Sequence, residues 1–219
     1  MVVYPFSPYP PEPEAHRQRL IAPLRKRQPN DCFFRSDAEF DWLYPEHLQL
    51  ISLKHWTPLA VAKKAADYLD VPGNILDIGS GTGKFCLTAA HRHPQGNYYG
   101  AEQRHELVHY ATQAGNYLKL ANARFIHANI TQINFHEFDH FYFFNSFFEN
   151  IAQENAIDDT IEISHSLYEY YNRFLLNILK DKPSGTRVVT YQSLGEMIPA
   201  NYELVTHSFH TLLRLWIRQ

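Results

Sequence analysis

One stretch of the chain limits what it can fold into: Ile75-Leu76-Asp77-Ile78-Gly79-Ser80-Gly81-Thr82-Gly83-Lys84-Phe85-Cys86. A short apolar run passes through three alternate glycines into Leu87-Thr88-Ala89-Ala90, which has the composition of a helix. Buried strand, glycine-rich turn and helix start are the successive parts of a nucleotide-binding βαβ unit. Glycine admits positive φ and lets a ligand approach where a Cβ would stand. The free N–H groups of the helix start then face whatever fills the gap.

Spacing separates the ligands that such a turn can hold. A P-loop needs glycine five residues before its Gly-Lys pair and Ser or Thr after it; here those positions are Ile78 and Phe85. The dinucleotide fingerprint needs a third glycine three residues after the second, and that position is Lys84. What is left is Asp-x-Gly-x-Gly-x-Gly with an acid at the strand end. It suits a ligand that lacks a pyrophosphate and carries a cation for the carboxylate. With 9 glycines in 219 residues, chance produces this pattern in fewer than roughly one chain in a thousand.

The pattern resembles the cofactor loop of the class I (seven-β-strand) S-adenosylmethionine-dependent methyltransferases. That resemblance implies an α/β fold, a Rossmann-like seven-strand sheet with helices on both faces and a C-terminal antiparallel hairpin. It implies S-adenosyl-L-methionine as cofactor, with Asp77, Gly79, Ser80, Gly81, Thr82 and Gly83 around its amino-acid end. Asn97-Tyr98-Tyr99-Gly100-Ala101-Glu102 reads as a second strand ending in an acid, 19 residues after Gly83. A carboxylate at about that distance reaches ribose hydroxyls in βαβ nucleotide sites, and Tyr-Gly-x-Glu resembles the family's second motif, with Gln103 following. Ala123-Arg124-Phe125-Ile126-His127 is a short third strand. After it, Asn129 and Ile130 stand where the family places an adenine-binding acid and an apolar neighbour; an amide carbonyl can accept from the adenine amino group.

Phe138 to Phe144 is a nearly continuous apolar fourth strand, as a buried parallel strand should be. It ends at Asn145-Ser146-Phe147-Phe148-Glu149-Asn150, where doubly wound sheets carry their chemistry. Amino-group methyltransferases of the family hold an Asn/Asp-Pro-Pro-aromatic tetrapeptide there. In this chain Ser146 and Phe147 replace the prolines, and the segment is similar, over a short span, to the non-SET histone-lysine methyltransferases. Asn145 is the expected orienting residue for the acceptor, beside the cofactor. Its competing reading is a helix-capping amide, and Phe148 either stacks on a ligand or packs in the core.

Upstream, Ser36-Asp37-Ala38-Glu39 has capping-box spacing, and Thr57-Pro58 reads as an N-cap with proline in the first turn. Between the helices they start, Ser52 to Thr57 precedes the first strand, where the family folds a segment over the methyl group. His55 is the expected proton acceptor there, against the ordinary reading of a packed or solvated histidine. Downstream, a long helix is expected from Asn155 to about Lys180, a fifth strand at Arg187–Tyr191, and two strand-like runs at 202–209 and 212–217. The domain reading is a Pro-rich arm over residues 1–35 and one domain over 36–219, with N-terminal helices at 36–70 and the α/β core at 74–219. The arm is either a plain extended segment or a flap over the active site.

Two further readings come from the residues. His105-Glu106-Leu107-Val108-His109 fits the zinc-peptidase pattern, although in a histidine-rich chain it arises by chance far more often than the glycine motif, and no metal is expected. A binding module that keeps the cofactor and lacks transfer is the other alternative. A formal net charge of -3 gives no electrostatic reason to expect bulk nucleic-acid binding. A protein amine or a small molecule is therefore the favoured methyl acceptor, with an RNA nucleotide still open. Two cysteines, no membrane-length apolar run and no signal-peptide layout lead to the expectation of a cytoplasmic protein without membrane partners.

Overall fold

The computed structural model describes residues 34–151, 156–193 and 197–219. Contacts divide the chain into Met1–Arg35 and Ser36–Gln219, and the second unit carries the sheet. The flap reading of the Pro-rich arm falls on residues outside the described ones.

Among the described residues three helices come first: α1 (Asp37–Asp41), α2 (Glu46–His55) and α3 (Leu59–Tyr68). Ser36 caps α1 as its spacing predicts, its Oγ accepting from Glu39 N–H at 3.2 Å. Thr57 does not cap α3. The free N–H of Leu59 is instead satisfied by Asp37 Oδ1 at 2.8 Å, and Thr57 Oγ1 lies 3.0 Å from the buried Tyr142 hydroxyl. A carboxylate from α1 competes successfully for the helix start because it accepts a charge-assisted bond.

The sheet then alternates with helices: β1 (Asn74–Ile78), α4 (Lys84–Arg92), β2 (Asn97–Glu102), α5 (His105–Tyr117), β3 (Ala123–His127), β4 (His140–Phe143), α6 (His165–Lys180), β5 (Arg187–Tyr191), β6 (Tyr202–Ser208) and β7 (Leu213–Arg218). Strand order is β3-β2-β1-β4-β5-β7-β6, with β7 antiparallel to both neighbours and the remaining pairs parallel. This is the expected seven-strand class I methyltransferase sheet with its C-terminal hairpin. Order reverses at β1, so the crevice for a ligand opens above the β1, β2 and β4 tips.

Two differences from the sequence reading have local causes. β4 begins at His140 and not Phe138, because Phe135–Glu137 forms a 3-10 turn and Asp139 is drawn off by the Asn74 N–H, 2.8 Å from its Oδ2. α6 begins at His165, not near Asn155: Asp158 Oδ1 accepts from both the N–H and the hydroxyl of Thr160. Such an aspartate-centred turn competes with helix, and Ser164 caps the helix that follows.

Each sheet face buries its own core. One packs Val61, Ala65 and Leu69 of α3 and Phe85 and Cys86 of α4 against Ile75, Tyr142 and Val189. The other packs Leu175 and Leu179 of α6 against Leu76, Ile78, Phe141 and Phe143. Alternation along β1 therefore sends Asp77 to the α4 face, level with Ile75. Among the described residues, no helix is long and apolar enough to cross a membrane.

Candidate active site

A cavity of about 390 Å³ opens at the strand tips where the topology requires it. Asp77, Gly79, Ser80, Gly81, Thr82, Glu102, Gln103, Asn129, Ile130, Asn145 and His55 all line it. Of the residues singled out in the sequence, Gly83 alone stands apart. A Cβ at Gly83 would come within 2.4 Å of the Phe125 ring and 3.2 Å of Ala111 Cβ. Its φ of 82° begins α4, so its role is the turn and the helix-to-strand packing behind the cavity. It does not make room for a ligand.

Asp77 is 3% exposed. Its hydrogen-bond partner is the Cys86 thiol, with Sγ 3.7 Å from Oδ2, and no cation pairs with it among the described residues. Burial pushes its carboxyl well above the usual range, the weak thiol donor opposes this, and the Glu102 charge adds to it. Glu102 is also buried, and burial raises its carboxyl too. Its two oxygens accept from Gly81 N–H at 3.1 Å and Arg104 N–H at 2.9 Å. A carboxylate has about four acceptor positions, so Glu102 keeps two for a diol. Asp77 keeps more, in a place where an unpaired charge is expensive.

The turn between the two acids is held from above. Trp56 is buried, and a Cβ at Gly81, where φ is 54°, would lie 2.6 Å from its ring. Tyr44 donates to Thr82 O at 2.8 Å. Lys84, 3% exposed, pairs through Nζ with Asp41 Oδ1 at 2.9 Å and Asp37 Oδ1 at 2.6 Å, and Ser52 Oγ donates to Asp41. Helices α1 and α2 are thus fastened to the loop through the lysine that spoils the dinucleotide pattern. Nothing in the motif announced this, although a charge opening the apolar run Phe85-Cys86-Leu87 was a signal. Ser80 Oγ is buried without a partner among the described residues, a further polar group directed at this turn.

Asn129 lines the cavity, but its amide is occupied. Its carbonyl accepts from the N–H and hydroxyl of Thr131, and its NH2 donates to Gln103 Oε1 and Tyr171 Oη. The carbonyl expected to accept from an adenine amino group therefore caps a 3-10 turn instead. Ile130, buried beside it, supplies the apolar wall.

His55 is half-buried, and burial first, then the neighbouring Lys54 charge, hold its imidazole below the usual value. It is a neutral ring at pH 7. Asn145 sits at the β4 tip with φ of 40°, and its side-chain amide forms no hydrogen bond among the described residues. Beside it, Phe148 is exposed at the mouth, so it does not pack in the core. Arg104 anchors the mouth, bonding both oxygens of Glu149 at 3.1 and 2.8 Å and Asp158 at 3.0 Å. The His-Glu-x-x-His residues lie elsewhere, on α5: His105 and Glu106 are exposed, Glu106 faces His47, and His109 bonds Gln113. Among the described residues no group of three His, Cys, Asp or Glu side chains is placed to hold a metal.

A doubly wound sheet with an acid on each of two adjacent strand tips and a glycine turn between them defines the class I methyltransferase architecture. Residues 75–167 match the protein family described as "Methyltransferase domain", and the sheet is that of the class I S-adenosylmethionine-dependent methyltransferases. An RNA methyltransferase from Salinibacter ruber, solved with S-adenosyl-L-homocysteine, superposes with a TM-score of 0.52 at 18% identity, covering 74% of this chain and 91% of that one. TrmN from Thermus thermophilus gives 0.52 at 20% identity, over 76% of this chain and 49% of that one. At these identities the likeness is one of fold. In sequence, a tRNA (guanine-N(7)-)-methyltransferase of Synechocystis sp. is 37% identical over 86 residues, 39% of this chain and 41% of that protein. Its counterpart from Synechococcus sp. is 46% identical over 55 residues, 25% of this chain and 23% of that one. The matched part thus spans less than half the length of either relative.

Proposed function

We propose that this chain transfers a methyl group from S-adenosylmethionine to a guanine of tRNA. The observation that carries the cofactor half is Asp77, a buried carboxylate without a cationic partner among the described residues, across a glycine turn from Glu102. The Ser80 hydroxyl, buried without a partner among the described residues, is a further polar group lining the same cavity. Asp77 would hold the amino-acid end, Glu102 the ribose hydroxyls, and Ile130 the adenine face. The acceptor half rests on the two tRNA-modifying relatives.

When bound, the cofactor would supply an electrophilic methyl on a sulfonium, open to in-line attack by an acceptor lone pair, with a neutral thioether as the leaving group. The chain's part is to align the two partners and exclude water, and effective molarity is the relevant quantity. Trp56 and the walls of the β4 tip enclose the site. An aromatic ring nitrogen such as guanine N7 carries no proton, so a base is not required for it. His55, neutral at pH 7, would take a proton only from an amino or hydroxyl acceptor.

The test incubates the full chain with S-adenosylmethionine labelled in its methyl group and, in separate reactions, total tRNA, a protein lysate and a metabolite extract. The expected result is label in tRNA, recovered as 7-methylguanosine after nuclease digestion. Label confined to protein or metabolites overturns the acceptor half. Cofactor binding with no transfer to any pool identifies a binding module instead.

A further inference from the structure

The sheet leaves two amides side by side on the acceptor side of the cavity, and the second, Gln192, belongs to no motif. In the parallel register of β4 and β5, Phe143 pairs with Thr190. Asn145 lies just past the end of β4 and Gln192 just past the end of β5, and the two loops touch where Asn145 N–H donates to Ser193 Oγ. Both line the same cavity, and both take a left-handed backbone as non-glycine residues, at φ of 40° and 51°. Such conformations persist only where the surroundings fix them, and they gather at ligand-binding positions. Here the fixing is visible. Asn145 N–H donates to Ser193 Oγ at 3.3 Å, Ser193 Oγ donates to Tyr191 O at 3.2 Å, and Gln192 N–H donates to Leu212 O at 2.9 Å. The backbone bonds of each residue thus hold its neighbour's loop, while the side chains are left for the cavity. Asn145's amide forms no hydrogen bond among the described residues. Among the described residues the Gln192 side chain donates to the adjacent Tyr191 hydroxyl alone, at 3.3 Å, a long contact that a ligand could replace.

Resting on the function proposed above, we infer that Asn145 and Gln192 together bind the edge of the acceptor, a neutral heteroaromatic base, with Phe148 stacked on its face. Amides present acceptors and donors in one plane, the chemistry that reads the edge of a nucleobase. Phe148, a large aromatic side chain left exposed at the mouth, offers the π face on which bases stack. Charge agrees with this assignment. Displacement at the methyl carbon by a ring nitrogen breaks the carbon–sulfur bond, and its electrons stay on sulfur. The new carbon–nitrogen bond uses the ring lone pair, so the positive charge moves from sulfur to the base. Two amide carbonyls beside the base favour that charge, whereas an unpaired cation would oppose it. The guanidinium nearest this wall, Arg104, is paired with both Glu149 and Asp158.

The test compares wild type with Gln192→Gly, Asn145→Gly and Gln192→Asn in the tRNA methylation assay, together with S-adenosylhomocysteine binding by calorimetry and thermal melting. Glycine accepts the left-handed backbone and removes only the amide, and asparagine restores an amide at a position it tolerates. Loss of a hydrogen bond to the base should raise KM for tRNA about tenfold in each glycine variant. S-adenosylhomocysteine affinity and melting temperature should stay near wild type, and Gln192→Asn should recover part of the loss. An unchanged KM in both glycine variants of an active enzyme overturns the amide pair while leaving the proposed function standing. So does a loss of S-adenosylhomocysteine affinity parallel to the loss of activity, because the pair would then serve the cofactor. A wild-type enzyme that labels no nucleobase fails the proposed function itself and the base-binding role with it.

Discussion

Replacing Lys84 with methionine keeps the length of the side chain and removes the charge that fastens α1 and α2 to the cofactor loop. Its Nζ is 2.9 Å from Asp41 Oδ1 and lies over the Phe40 ring, 5.2 Å from the centroid. Asp41's side chain is 9% exposed, so the variant strands a buried carboxylate with the Ser52 hydroxyl as its remaining partner. Breaking a buried pair by removing one member costs about 3–5 kcal/mol. The second contact, to Asp37 with 38% of its side chain exposed, adds about 0–1 kcal/mol as a solvent-screened pair. At about 2–4 °C per kcal/mol for a domain of this size, Lys84→Met should melt about 6–24 °C below wild type. Urea unfolding followed by circular dichroism gives the free energy directly. A double variant, Lys84→Met with Asp41→Leu, should recover more than half of the loss, because neither charge is then left unpaired. A loss under about 1 kcal/mol in the single variant, or no recovery in the double, refutes the claim that this pair holds the helices to the loop.

The remaining predictions concern the ligand side of the loop. Burial holds the free Asp77 carboxyl well above the usual range, and a cationic ligand beside it would lower it. Binding of S-adenosylhomocysteine should therefore release protons, and its affinity should rise with pH between the liganded and the raised free value and flatten above it. Calorimetry in two buffers of different ionisation enthalpy checks this through a buffer-dependent binding heat. The same shift opposes folding as pH rises: the folded carboxyl binds a proton more tightly than the unfolded one, so stability falls as pH climbs from the unfolded value through the raised folded value. Gly81→Ala places a Cβ 2.6 Å from the Trp56 ring at a φ of 54°. It should cost about 1–3 kcal/mol of stability and displace Trp56, which a change in tryptophan fluorescence and a weakened S-adenosylhomocysteine titration would report.

Much of the fold was legible because short apolar runs between turn residues mark buried parallel strands. β2, β3 and β5 begin and end at the residues the sequence indicates. The two acids of the cavity were legible for the same reason, since a strand tip followed by glycines fixes where Asp77 points. The rest depended on partners far along the chain. Thr57 reads as a cap until Tyr142, 85 residues away, takes its hydroxyl. Gly83 reads as ligand space until Phe125 fills it. Asn129 reads as an adenine contact until Thr131 and Tyr171 occupy its amide. Gln192 carries no motif, and its importance comes from the register of β4 with β5. Net charge does not fix the acceptor, because RNA recognition depends on local contacts that a sum over the chain does not register.

The account depends on Asp77 and Glu102 gripping opposite ends of the same nucleoside, and calorimetric titration of S-adenosylhomocysteine into wild type, Asp77→Asn and Glu102→Gln tests that most directly. Each single variant loses charge-assisted hydrogen bonds, so affinity should fall about tenfold to 150-fold in each, with unfolding curves close to wild type. No binding to the wild-type chain, or equal affinity in all three proteins, contradicts the account.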